Sequence, residues 1–261
     1  MLLAIDVGNT NIVLGIYEEE ELLFYWRIRS ERTKTSDEYG IQIQDYLNHF
    51  NIDENSLKDI IISSVVPDIT MALEHACKRF LNINPYIVGE NTNIGIDIKY
   101  DYPKEVGADR IVNAVGAYEK YGGPLIVIDL GTATTHDVID ENGDYLGGCI
   151  SPGMTISSEA LYERTAKLPN VELVLPEKVI GKSTVKSMQS GIVNGFIGLI
   201  DHLTRLIIKE KNWKKEDVSI IMTGGYAELV SNNSSFENII DQDLTLLGLK
   251  IIYERTKKDG N

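Results

Sequence analysis

The sequence has few cysteines and few basic residues for its length of 261. Cys77 and Cys149 form no metal-binding pattern, and two lone thiols indicate a reducing compartment, with a single disulfide between them as the alternative. The 39 acidic residues outnumber the 25 Lys and Arg, which gives a formal net charge of −14. Such an acidic surface repels nucleic acid and anionic lipid, so we expect neither nucleic acid nor a membrane as partner.

Long apolar runs, a secretory leader and the common nucleotide loops are also missing. The longest apolar stretch, Gly195 to Ile200, is too short to span a bilayer, and the N-terminal segment is strand-like and carries no charged leader region. The sequence contains no Walker-type loop, no Gly-x-Ser-x-Gly motif and no Cys/His spacing for zinc. We therefore expect a cytoplasmic protein.

One pattern occurs twice in the sequence. Leu3 to Asn11 and Ile126 to Thr134 each run from an apolar stretch through Asp-x-Gly into small hydroxyl and amide residues, and a second apolar stretch and an acidic turn follow. This pattern is typical of a β-hairpin. The duplication predicts two similar halves, which we place at 1–117 and 118–261.

Strand-like and helix-like stretches alternate along the chain, which predicts an α/β architecture. We predict strands near 2–7, 11–17, 21–29, 59–66, 85–88 and 219–223, besides the second hairpin. We predict helices after 36–38, over 68–80, after Gly107, over roughly 154–166 and 184–210, after Gly225 and after Asp243. Residues 89–106 are predicted to form a loop region.

The two hairpin tips carry the residue types of a phosphate site. Glycine lets the backbone approach an anion closely, hydroxyl groups cradle phosphate oxygens, and Asp6 or Asp129 at the end of a buried strand needs a cationic partner. For one copy alone, the alternative is a tight turn whose polar residues satisfy its own backbone. The second copy favours the phosphate site, as does the dense hydroxyl cluster of Thr132, Thr134 and Thr135.

A third motif, Gly107-Ala108-Asp109-Arg110, opens a predicted helix. A helix N-terminus binds anions, and Arg110 adds a fork for a carboxylate or phosphate. Asp109 can then accept a hydroxyl proton during phosphoryl transfer, and we expect the helix dipole to keep it ionised and therefore weakly basic. Taken alone, the more ordinary interpretation is an acidic residue that stabilises the first helical turn.

Three weaker signals stay open on the residues alone. Thr223-Gly224-Gly225 fits either a turn that closes over adenine or ribose or a plain strand-to-helix turn. Gly191, Gly195 and Gly198 share one helix face, which suits either a subunit interface or internal packing. His136 follows the hydroxyl cluster and is a candidate for lining the site.

Four motifs in order, at 6–11, 107–110, 128–134 and 147–153, together resemble type III pantothenate kinase. This family is part of the superfamily of actin, sugar kinases and heat-shock-chaperone ATPases. The resemblance runs from residue 1 to about the final helix. It implies two ribonuclease-H-like α/β domains of duplicated topology with a cleft between them. The first would carry one phosphate loop and the pantothenate segment, and the second the other phosphate loop, the adenosine side and a dimer helix.

The resemblance also implies an activity, the transfer of the ATP γ-phosphoryl group to the primary hydroxyl of pantothenate, which is the first step of coenzyme A synthesis. Asp109 would be the proton acceptor. The ATP-binding residues would be Asp6, Val7, Gly8, Asn9, Thr10, Asn11, Ile12, Val13 and Thr132. The pantothenate-binding residues would be Tyr100, Gly107, Ala108, Asp109, Arg110 and Thr184.

The implied cofactors are two cations. Asp129 would bind a monovalent cation, K⁺ or NH₄⁺, and Asp6 would act on Mg²⁺ through phosphate or water. The family is typically a homodimer, so a partner subunit would complete part of the pantothenate pocket. The chain departs from the family pattern at His136, where Phe is usual, and at Cys149, where Ala is more frequent. Both departures bear on the shape and polarity of the nucleotide side.

Three other functions are compatible with the same nucleotide fold. The nearest is a kinase that acts on another small alcohol or a sugar. A non-enzymatic regulator is disfavoured by the intact Asp6, Asp109 and Asp129, because a pure binding module needs no base. An actin-like filament protein would be larger.

Overall fold

The computed structural model describes residues 1–89 and 92–259. The chain divides into two units. The first unit consists of Met1–Ile96, Asp101–Gly116 and Asp243–Asn261, and the second of Asp97–Tyr100 and Ala117–Gln242. The units interleave in sequence, so the final helix belongs with the first unit, whereas the sequence analysis placed all of 118–261 in the second half.

The predicted strands and helices are confirmed with small shifts at their ends. The strands are β1 Leu2–Val7, β2 Asn11–Glu18, β3 Glu21–Arg29, β4 Asp59–Ser64, β5 Tyr86–Ile87, β6 Leu125–Leu130, β7 Ala133–Ile139, β8 Tyr145–Pro152, β9 Ser219–Thr223 and β10 Ile239–Ile240. The helices are α1 Ser36–His49, α2 Pro67–Phe80, α3 Ala108–Tyr121, α4 Met154–Arg164, α5 Thr184–Glu210, α6 Ala227–Ser231 and α7 Leu244–Asp259. The predicted loop at 89–106 holds one short 3₁₀ turn, Pro103–Glu105, and its residues 90 and 91 lie outside the described part of the chain.

The first unit is built on a five-stranded sheet in the order β3-β2-β1-β4-β5. β1, β2 and β3 are antiparallel neighbours, whereas β4 and β5 run parallel to β1. A central strand that is covered on both faces reads as a nearly continuous apolar run, which explains the sequence of β1. A capping box starts α1, where the Thr35 side chain accepts from the Glu38 N–H and Glu38 accepts from the Thr35 N–H.

The final helix α7 packs against this first sheet and against α3. Leu246 lies so close to β2 that a Cβ on Gly15 would be 2.8 Å from its Cδ1. Gly248 lies against the backbone carbonyl of Val112, where a Cβ would collide. One contact depends on Gly15, which is far from α7 in sequence, and the other on Gly248, which no sequence motif marks. The order of the elements along the chain therefore does not predict that α7 packs in the first unit.

The second unit repeats the topology of the first. Its sheet runs β8-β7-β6-β9-β10, with β6, β7 and β8 antiparallel and with β9 and β10 parallel to β6. The duplicated α/β topology predicted from the two hairpins is therefore confirmed. Each hairpin, β1–β2 and β6–β7, is at the centre of its own sheet.

The long helix α5 packs on the second sheet through buried residues that include Val193, Phe196 and Ile200. By length and composition, α5 is the one helix among residues 1–89 and 92–259 that could cross a membrane. The uninterrupted apolar run from Gly195 to Ile200 is only a small part of this helix, so the prediction that no segment is long enough to span a bilayer was wrong by length and composition. A core helix of a water-soluble domain meets the same criteria, and α5 contributes to the hydrophobic core of its unit.

Both cysteines are free, which rules out the alternative of a disulfide between Cys77 and Cys149 in this structure. Cys77 is fully buried in the core of the first unit. Burial raises the pKa of its thiol to about 12, so this thiol stays protonated and unreactive at neutral pH.

His136 lies on β7 with its side chain completely buried. Its register partners are Ile128 on β6 and Cys149 on β8, and the backbone carbonyl of Ile200 on α5 is nearby. Burial lowers the pKa of His136 to about 4, while the Ile200 carbonyl favours the protonated form and opposes the shift. The ring therefore belongs to the core of the second unit and does not reach the surface of the hairpin tip.

We predict that protonation of His136 destabilises the fold at acid pH. Between the ordinary pKa of 6.5 and about 4, the unfolded chain binds a proton that the folded chain does not, so the free energy of unfolding falls as pH falls through this window. The loss is about 3 kcal/mol on conversion of the shift at 1.36 kcal/mol per unit. Urea unfolding at several pH values measures it.

His136→Phe should remove this part of the pH dependence, because Phe fills the same space without a titrating group. The matched control is His75→Phe on the exposed side of α2, which should keep the wild-type slope between pH 4 and 6.5. Equal slopes in wild type and His136→Phe would contradict the assignment.

Candidate active site

The first predicted phosphate loop is a tight turn between β1 and β2. The Gly8 N–H donates to the Asn11 carbonyl at 3.0 Å, which closes the turn over exposed Asn9 and Thr10. Ser30 stabilises the turn with two hydrogen bonds. Its N–H donates to the Thr10 carbonyl at 3.0 Å, and its hydroxyl donates to the Gly8 carbonyl at 2.6 Å. The tip is therefore exposed but rigid, which suits a loop that binds phosphate through its backbone.

The other predicted loop residues differ in what they can contact. Val7 and Ile12 are fully buried in the core, so only their backbone can face a nucleotide. Asp6 is half-buried near the end of β1, with Val13 and Ser63 as its register partners on the two neighbouring strands. The buried Ser63 hydroxyl has no hydrogen-bond partner within the described residues. A carboxylate beside an unused hydroxyl fits a hydrated Mg²⁺ ion bound with nucleotide phosphates.

Asp109 is the second residue of α3, and its carboxylate folds back over Gly107. A Cβ on Gly107 would lie 2.5 Å from Asp109 Oδ1, so only glycine permits this approach. The Arg110 N–H donates to the same oxygen at 2.8 Å and fixes the orientation of the carboxylate. Arg110 itself is buried, with 7% of its surface exposed.

Burial raises the pKa of Asp109 above its usual value, while the Arg110 N–H and guanidinium act in the opposite direction. The helix dipole that the sequence predicts would lower this pKa, whereas desolvation, the largest effect in the structure, raises it. A carboxylate with a raised pKa is a stronger proton acceptor.

The first unit brings the Asp109 segment to the same edge of the sheet as the first hairpin. Val65, directly after β4, donates its N–H to the Val7 carbonyl at 3.1 Å. The same residue faces Gly107, where a Cβ would lie 3.6 Å from Val65 Cγ1. Two segments that are about a hundred residues apart in sequence therefore meet where β1 and β4 end, which is where α/β sheets commonly bind ligands.

In the second unit, Asp129 lies near the end of β6 and is enclosed by glycine backbone. A Cβ on Gly224 would be 2.8 Å from Asp129 Oδ1, and a Cβ on Gly131 would be 3.3 Å from it. Gly224 has a φ of +91°, which also favours glycine. Thr135 and Thr223 are the register partners of Asp129. Oxygen-rich neighbours around a carboxylate, with backbone at close approach, fit a monovalent cation.

Thr132 forms the tip of the second hairpin with Gly131. The Gly153 N–H donates to the Thr132 carbonyl at 3.1 Å, and a Cβ on Gly153 would collide with the carbonyls of Gly131 and Thr132. The glycine after β8 thus lets the backbone lie directly against the hairpin tip. The Gly224 turn contacts the same strand end from the other side, because a Cβ there would lie 2.7 Å from the Leu130 carbonyl carbon.

Tyr100 is held beside the start of β8 by the short segment 97–100. Ile98 pairs with Tyr145 as a parallel bridge, the Lys99 N–H donates to the Tyr145 carbonyl at 2.8 Å, and the Tyr145 N–H donates to the Asp97 carbonyl at 2.8 Å. The half-buried Tyr100 ring lies over Gly147, where a Cβ would be 3.4 Å from ring atoms.

Thr184 is the first residue of α5, after the N-cap Ser183, whose hydroxyl accepts from the Lys186 N–H at 3.3 Å. Thr184 lines an open groove of about 850 Å³ in the second unit. The residues that line this groove are Leu161, Leu168, Gly181, Lys182, Ser183, Thr184, Ser187, Met188, Gly191 and Ile192. Neither Tyr100 nor Asp129 is among them.

A buried carboxylate on β7, Asp137, was not predicted from the sequence. It accepts hydrogen bonds from Thr135 Oγ1 at 2.8 Å and from Tyr145 Oη at 2.7 Å. The available signal was the period of two along a strand, which puts Thr135 and Asp137 on the same face as Asp129. Within the described part of the chain, no group of three or more His, Cys, Asp or Glu side chains could hold a metal ion, so a cation at Asp6 or Asp129 would need ligands of other kinds.

Comparison with solved structures supports the fold. A Campylobacter jejuni protein described as a putative Baf family transcriptional activator superposes with a TM-score of 0.62 at 20% identity, covering 98% of this chain and 99% of that one. The Clostridium difficile activator of 2-hydroxyisocaproyl-CoA dehydratase, solved with bound ADPNP, gives a TM-score of 0.57 at 11% identity and covers 99% and 96% of the chains. These likenesses confirm the fold of two α/β units with repeated topology.

Sequence relatives are much closer. A type III pantothenate kinase of Finegoldia magna is 52% identical over 259 residues, covering 99% of both chains. A type III pantothenate kinase of Geobacillus kaustophilus is 48% identical over 261 residues, covering 100% of both chains. The family model for type III pantothenate kinase matches residues 2–206. The chain belongs to the type III pantothenate kinase family.

Proposed function

We propose that this protein transfers the γ-phosphoryl group of ATP to the primary hydroxyl of pantothenate, giving 4′-phosphopantothenate and ADP. The observation that carries the proposal is the Asp109 segment, a buried carboxylate oriented by the Arg110 N–H at the same sheet edge as the first hairpin. Full-length similarity to named pantothenate kinases supports this acceptor over a sugar or another alcohol. This reaction is the first step of coenzyme A synthesis.

In the proposed mechanism, Asp109 Oδ2 or Oδ1 takes the proton of the pantothenate hydroxyl as the new oxygen–phosphorus bond forms. The bond between the γ-phosphorus and the β,γ-bridging oxygen breaks in line, and its electron pair leaves with ADP. Positioning dominates in such loose transition states, so the oriented carboxylate matters as much as its basicity.

The remaining residues bind and orient the substrates. The rigid turn at Gly8–Asn11 and the second tip at Thr132 would hold the ATP phosphates through backbone and hydroxyl groups. Arg110 and the start of α3 would receive the pantothenate carboxylate, with Tyr100 and Thr184 as further contacts.

Asp6 and Asp129 would hold the two cations of the reaction. Mg²⁺, held at Asp6 through phosphate or water, would supply positive charge that the phosphates need in a chain with no Walker lysine and a net charge of −14. K⁺ or NH₄⁺ at Asp129 would supply a further charge on the nucleotide side.

We also propose a homodimer and a cytoplasmic location. On α5, the positions of Gly191, Gly195 and Gly198 would each leave a Cβ in open space, and nearby Val179 and Ile180 are 73% and 81% exposed. Exposed apolar side chains beside a small-residue face are typical of a subunit interface. Light scattering should give twice the chain mass of 29.2 kDa, and fractionation should recover the protein with soluble enzymes.

The first test is a coupled ADP-release assay with Mg-ATP and K⁺, run with and without pantothenate. We expect ADP release that depends on pantothenate, with one phosphopantothenate formed per ADP. A panel of sugars and small alcohols is the control. Release that is independent of pantothenate, or release with a sugar instead, would overturn the choice of acceptor.

We predict that Asp109→Asn lowers kcat by about 10²–10⁴-fold, the usual contribution of a positioned base. The matched control is Asp68→Asn, because Asp68 is also the second residue of its helix, α2, but its side chain is exposed. That control should retain activity, and both variants should keep the circular dichroism spectrum of wild type. Unchanged turnover in Asp109→Asn would exclude its role as base.

We predict that replacing K⁺ with Na⁺ depresses activity, because Na⁺ is smaller than the cation that the site at Asp129 would fit. Asp129→Asn should abolish the difference between the two salts at equal ionic strength. Initial rates in matched KCl and NaCl series measure both effects. Wild-type rates that are the same in both salts would count against a cation at Asp129.

A further inference from the structure

The carboxylate of Asp137 has no role in the mechanism above, although it is one of the most buried charged groups of the second unit, with no exposed surface. A buried carboxylate is costly unless hydrogen bonds stabilise it. Its two oxygens accept from two different hydroxyls, Oδ1 from Tyr145 at 2.7 Å and Oδ2 from Thr135 at 2.8 Å. The group therefore joins β7 to the start of β8 in a fixed geometry.

Each of these hydroxyls belongs to a residue that holds a different part of the site. Thr135 is the register partner of Asp129, on the adjacent strand of the second hairpin. Tyr145 holds the segment 97–100 through two backbone hydrogen bonds, each 2.8 Å long, and its ring centroid lies 6.5 Å from that of Tyr100. Asp137 is therefore linked through Thr135 to Asp129, the proposed cation residue, and through Tyr145 to Tyr100, the proposed pantothenate residue.

We infer that Asp137 is a positioning residue that sets two substrate subsites at once, the nucleotide side through Thr135 and the pantothenate side through Tyr145. The inference rests on the proposed function, because it assigns Tyr100 to the pantothenate side. Tyr145 and Asp137 are both fully buried, away from the surface that a substrate reaches, so we assign neither as a catalytic residue.

Because the two hydrogen bonds of Asp137 involve different oxygens, removing one hydroxyl should affect one substrate subsite and not the other. Loss of the Tyr145 hydroxyl removes its hydrogen bond to Asp137 Oδ1 and loosens the ring beside Tyr100, while the Thr135 hydrogen bond stays. Loss of the Thr135 hydroxyl leaves the Tyr145 hydrogen bond intact and changes the neighbour of Asp129. A purely structural role for Asp137 predicts no such separation, because a loosened core lowers stability and turnover together.

The test measures KM for pantothenate, KM for ATP and K⁺ activation in Tyr145→Phe and Thr135→Val. A hydrogen bond to a charged group is worth about tenfold or more in an equilibrium constant, and this internal one acts on substrate affinity only through the position of Tyr100. Tyr145→Phe should raise KM for pantothenate by about tenfold while KM for ATP changes less than about twofold. Thr135→Val should raise KM for ATP or the K⁺ requirement and leave KM for pantothenate near wild type.

Tyr118→Phe is the matched control, because the hydrogen bond that the Tyr118 hydroxyl makes within the described residues is a long one, 3.4 Å to the Glu141 backbone carbonyl at an exposed site. It should behave as wild type in all three measurements. If Tyr145→Phe does not fold, Asp137→Asn replaces it and should raise both KM values, with folding checked by thermal melting.

The outcomes separate the two proposals. A wild-type protein without pantothenate-dependent ADP release overturns the proposed function and this inference with it. An active wild type in which Tyr145→Phe and Thr135→Val change kcat alone, or in which each shifts both KM values equally, overturns the positioning role and leaves the proposed function standing. For Asp137→Asn, the overturning result is a change in kcat alone.

Discussion

The close approach of glycine backbone to two carboxylates is the constraint on which the candidate site depends. Gly107 lets Asp109 fold back onto its own helix start, and Gly224 with Gly131 encloses Asp129. A single Cβ at any of these glycines would lie 3.3 Å or less from a carboxylate oxygen. The fold supplies this proximity by ending two strands of each sheet at one edge, with the glycine turns at that edge.

This constraint also explains how an acidic protein can bind a strongly anionic substrate. A net charge of −14 offers no general attraction to ATP, so favourable charge must be local. Backbone dipoles at the hairpin tips and at the start of α3 provide part of it without ionisable groups. Arg110 supplies the remaining fixed positive charge of the motif, and carboxylates at Asp6 and Asp129 would hold the mobile cations.

Local patterns in the sequence predicted the elements of both units, because strand alternation, helix caps and the repeated Asp-x-Gly motif are local signals. They did not predict the raised pKa of Asp109, because the helix dipole is visible in the sequence whereas burial by distant residues is not. They also did not predict that α7 packs with the first unit. That packing depends on the absence of a Cβ at Gly15, which leaves room for Leu246, and at Gly248, which lets α7 approach Val112.

Side-chain networks were predicted least well. The residues of the hydroxyl cluster at 132–135 were recognised, but the hydrogen bonds of Asp137 to Thr135 and Tyr145 were not, since Tyr145 follows a turn and a bulge that shifts the register. His136 shows the same limit, because its position next to the cluster suggested a lining residue. Strand alternation turns it to the opposite face, where it is buried in the core.

The two hairpins share one register but differ in chemistry, and the difference accounts for their proposed roles. In both, the Asp lies beside a hydroxyl residue of the parallel strand, Ser63 for Asp6 and Thr223 for Asp129. On the antiparallel side, Asp6 faces the apolar Val13, whereas Asp129 faces Thr135.

Asp129 has a hydroxyl oxygen on each neighbouring strand, which suits a cation that loses its hydration water readily, as a monovalent ion does. An apolar neighbour on one side suits Mg²⁺, which keeps much of its hydration and is held through phosphate. One duplicated strand arrangement thus gives the two proposed cation sites different surroundings, and the chemical difference is at the antiparallel register partner, Val13 or Thr135.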